Sequence, residues 1–289
     1  MKTRKHLTSY IFLTPYALPY IIFLLVPVIW SFYISLSQGG ILTGTTFVGL
    51  QNYKKIWGDA LFIKCFKNTV FYTVMVVPIC MVVSFLVALL LNSIMRLQNF
   101  IKLSIFFPLL SPVVSLAIIW KVLLLPGNDG PINYLISRVG LHPQNWLGSP
   151  ATVIPTLVWF EMWRGYGFWV LMILAGLQAL PKDVYESARI DGATGWRELV
   201  HITLPLMKPT LLFLLVMGVI WNFQLFDAVY IMTFGGPADS SATVVWYVYR
   251  NAFHFERIGY ASTMGFVVLV VLLVASIFQM KFLRSGFEY

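Results

Sequence analysis

Six stretches of this chain, at about residues 10–36, 69–92, 103–125, 153–180, 209–233 and 260–282, are apolar over long runs with few charges. A helix needs about 20 such residues to cross the hydrocarbon of a bilayer. Inside lipid, moreover, every backbone polar group must find a partner within its own segment or a close neighbour. Runs of this length, repeated along the chain, restrict the fold to a bundle of membrane-spanning helices. The rest of the composition agrees. Of 289 residues, 59% are hydrophobic and only 11% charged, and the mean hydropathy is +0.80, whereas a water-soluble globule carries about 25% charged residues. The expected class is an all-α integral membrane protein, with residues 1–289 forming one transmembrane domain.

Six spans place both termini on the same side, and the basic residues that flank the spans decide which side that is. Lys2, Arg4, Lys5, Arg96, Lys102, Lys182, Arg189, Arg197, Lys208, Lys281 and Arg284 share the side of the N-terminus, which is thereby assigned to the cytoplasm. Lys54, Lys55, Lys64 and Lys67 form a basic group in the first outer loop that runs against this rule. The first apolar run is longer than the roughly 7–15 residues of a signal-peptide core, so it is expected to remain as an anchor.

Several kinds of chemistry are not indicated. The formal charge of +9 is spread over short inter-helix segments and forms no basic stripe with interleaved aromatics, so no nucleic-acid partner is expected. Cys65 and Cys80 have neither metal-ligand nor CxxC spacing. The one Gly-rich cluster, Gly127-Asn128-Asp129-Gly130, lacks the lysine and the preceding strand that a phosphate cradle needs. No HExxH or GxSxG occurs, and His6, His142, His201 and His254 are scattered through loops. The chain is expected to be no enzyme and to bind no cofactor of its own; if ATP drives it, another subunit hydrolyses the ATP.

The polar insert between the fourth and fifth runs, residues 181–208, has a pattern of its own. It holds Tyr185-Glu186-Ser187-Ala188-Arg189-Ile190-Asp191-Gly192-Ala193 and then Ile202-Thr203-Leu204-Pro205. Asp183 is placed to cap a first turn, with Glu186 reaching back as in a capping box. Gly192 permits a left-handed exit, so the insert is expected to form a short helix, a sharp turn and a second short helix. Ser187, Ala188, Gly192, Ala193 and Gly195 are all small and would let another backbone approach closely. The plainer reading is that Asp183 and Glu186 merely cap a helix that Gly192 merely ends; the downstream Ile202-Thr203-Leu204-Pro205 favours docking.

This arrangement resembles the cytoplasmic coupling loop of permease subunits in bacterial binding-protein-dependent ABC importers, whose pattern is Glu-Ala-Ala, a Gly, and Ile-x-Leu-Pro about ten residues further. Ser187 stands where an Ala is usual. Gly49-Leu50-Gln51-Asn52-Tyr53, Phe66-Lys67-Asn68-Thr69, Phe223-Gln224-Leu225-Phe226-Asp227 and Phe234-Gly235-Gly236-Pro237 narrow the resemblance to the carbohydrate and glycerol-phosphate branch, in particular the maltose-type first permease. The resemblance covers nearly the whole chain. It implies a type I importer permease in the bacterial cytoplasmic membrane: six transmembrane helices with a coupling helix between the fourth and fifth. It also implies that Glu186, Ser187, Ala188, Asp191, Gly192, Ala193, Leu204 and Pro205 meet an ATPase. The implied partners are a homologous second permease, two ATP-binding cassette subunits that hold ATP and Mg, an extracytoplasmic solute-binding protein and membrane lipid.

Ionisable groups within a span are expensive and face a cavity or a partner. Lys121, Glu161, Arg164 and Asp227 are the candidates. Glu161 and Arg164 are three apart, close enough on one helix face to pair, and Asp227 falls at a similar depth if the two helices are antiparallel neighbours. With Trp163, Asn222 and Gln224, these groups could form a weak transit site in which aromatic faces meet the C–H surface of a sugar and polar groups meet its hydroxyls. The alternative is a structural Glu161–Arg164 pair beside an interfacial aromatic belt of Trp159, Trp163 and Tyr166. Kinks are expected at Pro15, Pro19, Pro27, Pro78, Pro108, Pro112 and Pro155. The solute could instead be glycerol phosphate or another anion, met by Arg164 and Lys121. A proton-coupled carrier would use Glu161 and Asp227 as relays, but carriers usually show inverted repeats and none is clear here. A purely structural membrane subunit is the remaining reading.

Overall fold

A computed structural model describes residues 12–40, 44–93 and 98–284 of the chain. Among the orienting basic residues, Lys2, Arg4, Lys5 and Arg96 lie outside the described residues, as does the side chain of Arg284. The described parts of the apolar runs are mostly helical, as the backbone's need for internal hydrogen bonds requires, with breaks at Ser111-Pro112 and at residues 224–226. In chain order the elements are α1 (Phe12–Ser35), a hairpin of β1 (Ser37–Gly40) and β2 (Gly44–Phe47), α2 (Gln51–Ile56), α3 (Ala60–Ser93), α4 (Gln98–Leu110), α5 (Val113–Leu123), α6 (Pro131–Arg138), α7 (Val153–Gln178) and α8 (Lys182–Ile190). There follow α9 (Trp196–Phe223), α10 (Val244–Tyr249) and α11 (Ile258–Arg284). Helices α1, α3, α9 and α11 are each long and apolar enough to cross a membrane, and the bent pairs α4–α5 and α7–α8 bring the total to six if each counts as one span.

Three of the expected spans differ in form. The run at 103–125 is not one straight helix: α4 and α5 meet at 93°. At about 1.5 Å per residue, their 13 and 11 residues are too short to cross singly. The break falls at Ser111-Pro112, where proline drives its predecessor out of the helical region and its own backbone is extended, with ψ 125°. The second helix starts well before residue 69, so Lys64 and Lys67 ride on α3 and not in a loop. Their stretch of α3 is held by the segment after the fifth span: Lys64 Nζ donates to the Ala238 carbonyl at 2.5 Å, and Asn68 Nδ2 donates to those of Asp239 and Ala242 at 2.9 and 3.0 Å. The fifth helix begins inside the polar insert and ends at Phe223 instead of near residue 233. The other prolines expected to kink a span interrupt no helix as Pro112 does. Helix α3 continues through Pro78, and Pro155 lies in the first turn of α7, where no donor is needed.

The described residues group into two compact units: one takes in the chain up to Ala60 with Tyr247–Val270, the other Leu61–Trp246 with the remainder of α11. The first unit is stitched by buried polar groups. Asn52, 7% exposed, donates through Nδ2 to the carbonyls of Ser35 and Ser37 at 3.1 and 2.8 Å. Thr263 Oγ1 donates to the same Ser35 carbonyl at 2.9 Å, and Asp59 Oδ2 accepts from the hydroxyls of Tyr247 and Tyr260 at 2.9 and 2.7 Å. In the second unit α4 lies along α7, so close that a Cβ on Gly167 would overlap the Ile105 carbonyl. Trp120 packs edge-on against Trp159 and Phe160. The Val244 amide donates to Thr69 Oγ1 at 3.0 Å.

Candidate coupling surface and translocation cavity

Helix α8 leaves the end of α7 at 68° and buries none of its residues. Its start differs from the sequence expectation. Pro181 occupies the N-cap position with an extended backbone, and no side chain caps the helix. Asp183 therefore lies within the first turn, where its charge complements the helix dipole, and Glu186 closes no capping box. Its end is as expected. The Gly192 amide donates to the Arg189 carbonyl at 3.1 Å and the Ala193 amide to that of Ala188 at 2.9 Å, the two bonds of a Schellman motif. Gly192 has φ +82° and Gly195 φ +57°, conformations that side chains resist, so both corners of the turn need glycine.

Glu186, Ser187, Asp191 and Gly192 are exposed on this projection, with Ala188 and Ala193 half-buried at its edge. Leu204 and Pro205 are placed differently from the expected second short helix: they lie within α9, which runs without interruption from Trp196. A π-turn, Leu199–Thr203, immediately precedes them. A wider turn of this kind accommodates the proline ring that would otherwise strike the preceding carbonyls. Two apolar side chains that the pattern did not single out, Ile190 and Trp196, are 87% and 75% exposed here; their position beside the two glycine corners was the available signal. Donating to the Glu198 carboxylate raises the pKa of Arg189 above its already high ordinary value, so Arg189 keeps its charge.

Glu161, Arg164, Asn222, Gln224 and Asp227 come together around one cavity of about 140 Å³, which Val113 and Trp221 also line. Glu161 and Arg164 form a two-bond pair, Nη2 to Oε1 at 2.6 Å and Nε to Oε2 at 3.0 Å. Asn222 Oδ1 accepts from the Tyr72 hydroxyl at 3.4 Å, while its Nδ2 donates to the Gly218 carbonyl at 2.9 Å. The chain unwinds between Phe223 and Asp227. Thr243 Oγ1 supplies a donor to the Leu225 carbonyl freed there, at 2.8 Å. Unwound backbone at membrane depth is tolerated where it is buried in protein or lines a cavity, and this break does the second. Trp163 is not part of the lining and packs on Trp120 at 5.4 Å. Lys121, at the end of α5, is exposed and does not line the cavity either. Val113, the first residue after the Pro112 break, is an apolar residue in an apolar run and carried no signal of its own.

Comparison with known proteins agrees with this architecture. The chain is 32% identical over 280 residues to the arabinooligosaccharides transport system permease protein of Bacillus subtilis (strain 168), covering 96% of this chain and 88% of that one. It is 31% identical over 286 residues to the lactose transport system permease protein of Rhizobium radiobacter, covering 96% and 95%. A chain of a bacterial ABC transporter involved in the import of the acidic polysaccharide alginate has the same fold, with a TM-score of 0.86 at 23% identity over 99% of this chain and 98% of that one. Residues 68–285, from the first turns of α3 to the end of α11, match the family described as the inner membrane component of binding-protein-dependent transport systems, and to that family this chain belongs.

Proposed function

We propose that this chain is the permease subunit of an ATP-driven importer that passes a carbohydrate into the cell. ATP and Mg are held by two ATP-binding cassette subunits, a homologous second permease completes the pathway, and an extracytoplasmic binding protein delivers the sugar. The chain itself hydrolyses nothing. Both termini lie in the cytoplasm, and so does α8. The observation that carries this reading is α8 itself: an exposed helix, closed by glycine corners, projecting from between two long apolar helices. Glu186, Ser187, Ala188, Asp191, Gly192 and Ala193 form the face that an ATPase meets, and Leu204 and Pro205 set the return into α9. Closure of the ATPases on ATP moves these faces as rigid bodies and opens the spans outward.

A carbohydrate is supported by the relatives named for arabinooligosaccharides and lactose and by the cavity. Trp221 offers an aromatic face, and Asn222, Gln224 and Asp227 offer hydrogen-bonding groups. An anionic solute is less well served, because Arg164 is already committed to Glu161 and Lys121 does not line the cavity. The test is the ATPase rate of the assembly that purifies with this chain, with and without its loaded binding protein. Stimulation by the loaded binding protein is expected; a stable assembly with no ATPase activity would sink the importer reading.

A further inference from the structure

The coupling helix is braced on one side. Among the described residues, its side-chain hydrogen bonds to other elements all end on α9: the Tyr185 hydroxyl meets Thr203 Oγ1 at 3.1 Å, and Arg189 donates through Nε and Nη2 to the Glu198 carboxylate at 3.2 and 3.4 Å. The helix also borders an open cleft of about 450 Å³, lined by Glu198 and Thr203 of α9 and by Asn92 and Gln178 at the ends of α3 and α7, and no side-chain hydrogen bond among the described residues crosses from α8 to α3 or α7. The link from α7 to α8 is three residues long and carries the 68° bend. It has no side-chain brace among the described residues.

The two braces also fall at a particular place on α9. Glu198 directly precedes the π-turn and Thr203 ends it, and Thr203 Oγ1 donates back to the Glu198 carbonyl at 3.3 Å. Pro205 and Pro209 follow within two turns. A π-turn and prolines are where helices bend, so this is the softest stretch of α9, and the braces span it. Beyond it the helix is regular up to Phe223, and Trp221 and Asn222 near its end line the translocation cavity.

We propose that Glu198 and Thr203 are positioning residues through which displacement of the coupling helix is delivered to α9, so that movement at the ATPase face reaches the cavity along the fifth span and not the fourth. The proposal rests on the importer reading above. An exposed ion pair contributes little to stability, and no stability is claimed for this one. Its work is geometric: with the pair and the hydroxyl contact in place, a push on α8 moves the start of α9; without them the push is absorbed at the π-turn.

The test uses the complete assembly in lipid nanodiscs, with both permeases, the ATPase subunits and the loaded binding protein. Glu198→Gln and Thr203→Val remove the acceptor charge and the hydroxyl without large changes of shape. Each is expected to leave the basal ATPase rate and the half-stimulating concentration of binding protein unchanged, and to lower the maximal stimulated rate and the sugar moved per ATP by at least about fivefold. The swap Arg189→Glu with Glu198→Arg is expected to recover both to within about twofold of the original. Stimulation near normal in both single variants would overturn the brace, as would a swap no better than Glu198→Gln, which would mean that these charges face the ATPase and not each other. Loss of stimulation in the unaltered assembly would overturn the importer reading instead. Should Glu198→Gln fail to assemble, Tyr185→Phe with Thr203→Val tests the second brace alone by the same two rates.

Discussion

At the scale of single residues, the sharpest constraint is Gly192. Its φ of +82° costs a residue with a Cβ about 1–2 kcal/mol, and a β-branched one more. No atom lies within 4 Å of where a side chain would start, so a substitution there strains the turn without colliding with anything. Because α8 buries nothing, Gly192→Val should leave the chain folded in the membrane while misplacing Ala193 and the face beside it. Sugar uptake and binding-protein-stimulated ATPase should fall by about tenfold, the equivalent of 1.4 kcal/mol, at unchanged membrane content. Uptake at the normal rate would remove this turn from the docking surface. Asn52 is the contrasting case, a buried residue whose amide ties two backbone segments together. Its amide satisfies two carbonyls at the junction of α1 and β1, and Asn52→Ala withdraws both donors from a buried site at a cost of about 1–3 kcal/mol. A lowered thermal midpoint of the purified assembly, with the ATPase stimulated as before, is the expected outcome; an unchanged midpoint would show that water replaces the amide.

At the scale of elements, close approach of helices depends on glycine where no side chain fits. A Cβ on Gly167 would overlap the Ile105 carbonyl, so Gly167→Val should push α4 from α7 and cost about 1–3 kcal/mol of packing. Loss of assembly yield or a lowered thermal midpoint is the measurement, and a stable, active Gly167→Val assembly would mean that α4 yields freely. Much at this scale was legible in the chain. Apolar length alone locates α1, α3, α7, α9 and α11, because lipid leaves the backbone no choice but helix. The Schellman turn at Gly192 could be read because its conformation demands that residue. What escaped was set by contacts distant in sequence. The early start of α3 goes with Lys64 and Asn68 meeting the 238–242 segment, and the end of α9 at Phe223 goes with Thr243 donating to the Leu225 carbonyl freed there. Asp183 is of a type that suits a cap, but Pro181, with its fixed φ and extended ψ, holds the boundary first. The site followed the same division: Glu161 and Arg164 pair within one helix and so could be foreseen, whereas Trp163 turns toward Trp120, a partner on another helix.

At the scale of the whole molecule, transport depends on which face of the membrane each loop occupies, and the chain's charges argue for one orientation despite the basic group of the first outer loop. Two of those lysines are held locally without losing their charge: Lys64 donates to the Ala238 carbonyl and Lys55 lies over the ring of Tyr260, 5.1 Å from its centre, so the conflict with the topology rule stands. The two native cysteines give a clean background for a direct test, since Cys65 and Cys80 are 0% and 3% exposed. His142, in the segment before α7, and Arg197, at the start of α9, are both exposed and fall on opposite sides if α7 crosses the bilayer; its 26 residues reach about 39 Å, more than the roughly 30 Å of hydrocarbon. With the coupling loop in the cytoplasm, His142→Cys should react with a membrane-impermeant maleimide in intact cells, whereas Arg197→Cys should react only after the membrane is opened. The reverse pattern would place α8 outside, beyond the reach of any ATP-hydrolysing subunit, and would take the proposed coupling with it even if the fold stood unchanged. Equal labelling of both in intact cells would mean that α7 does not cross at all, and the cavity at Glu161 would then lie outside the membrane.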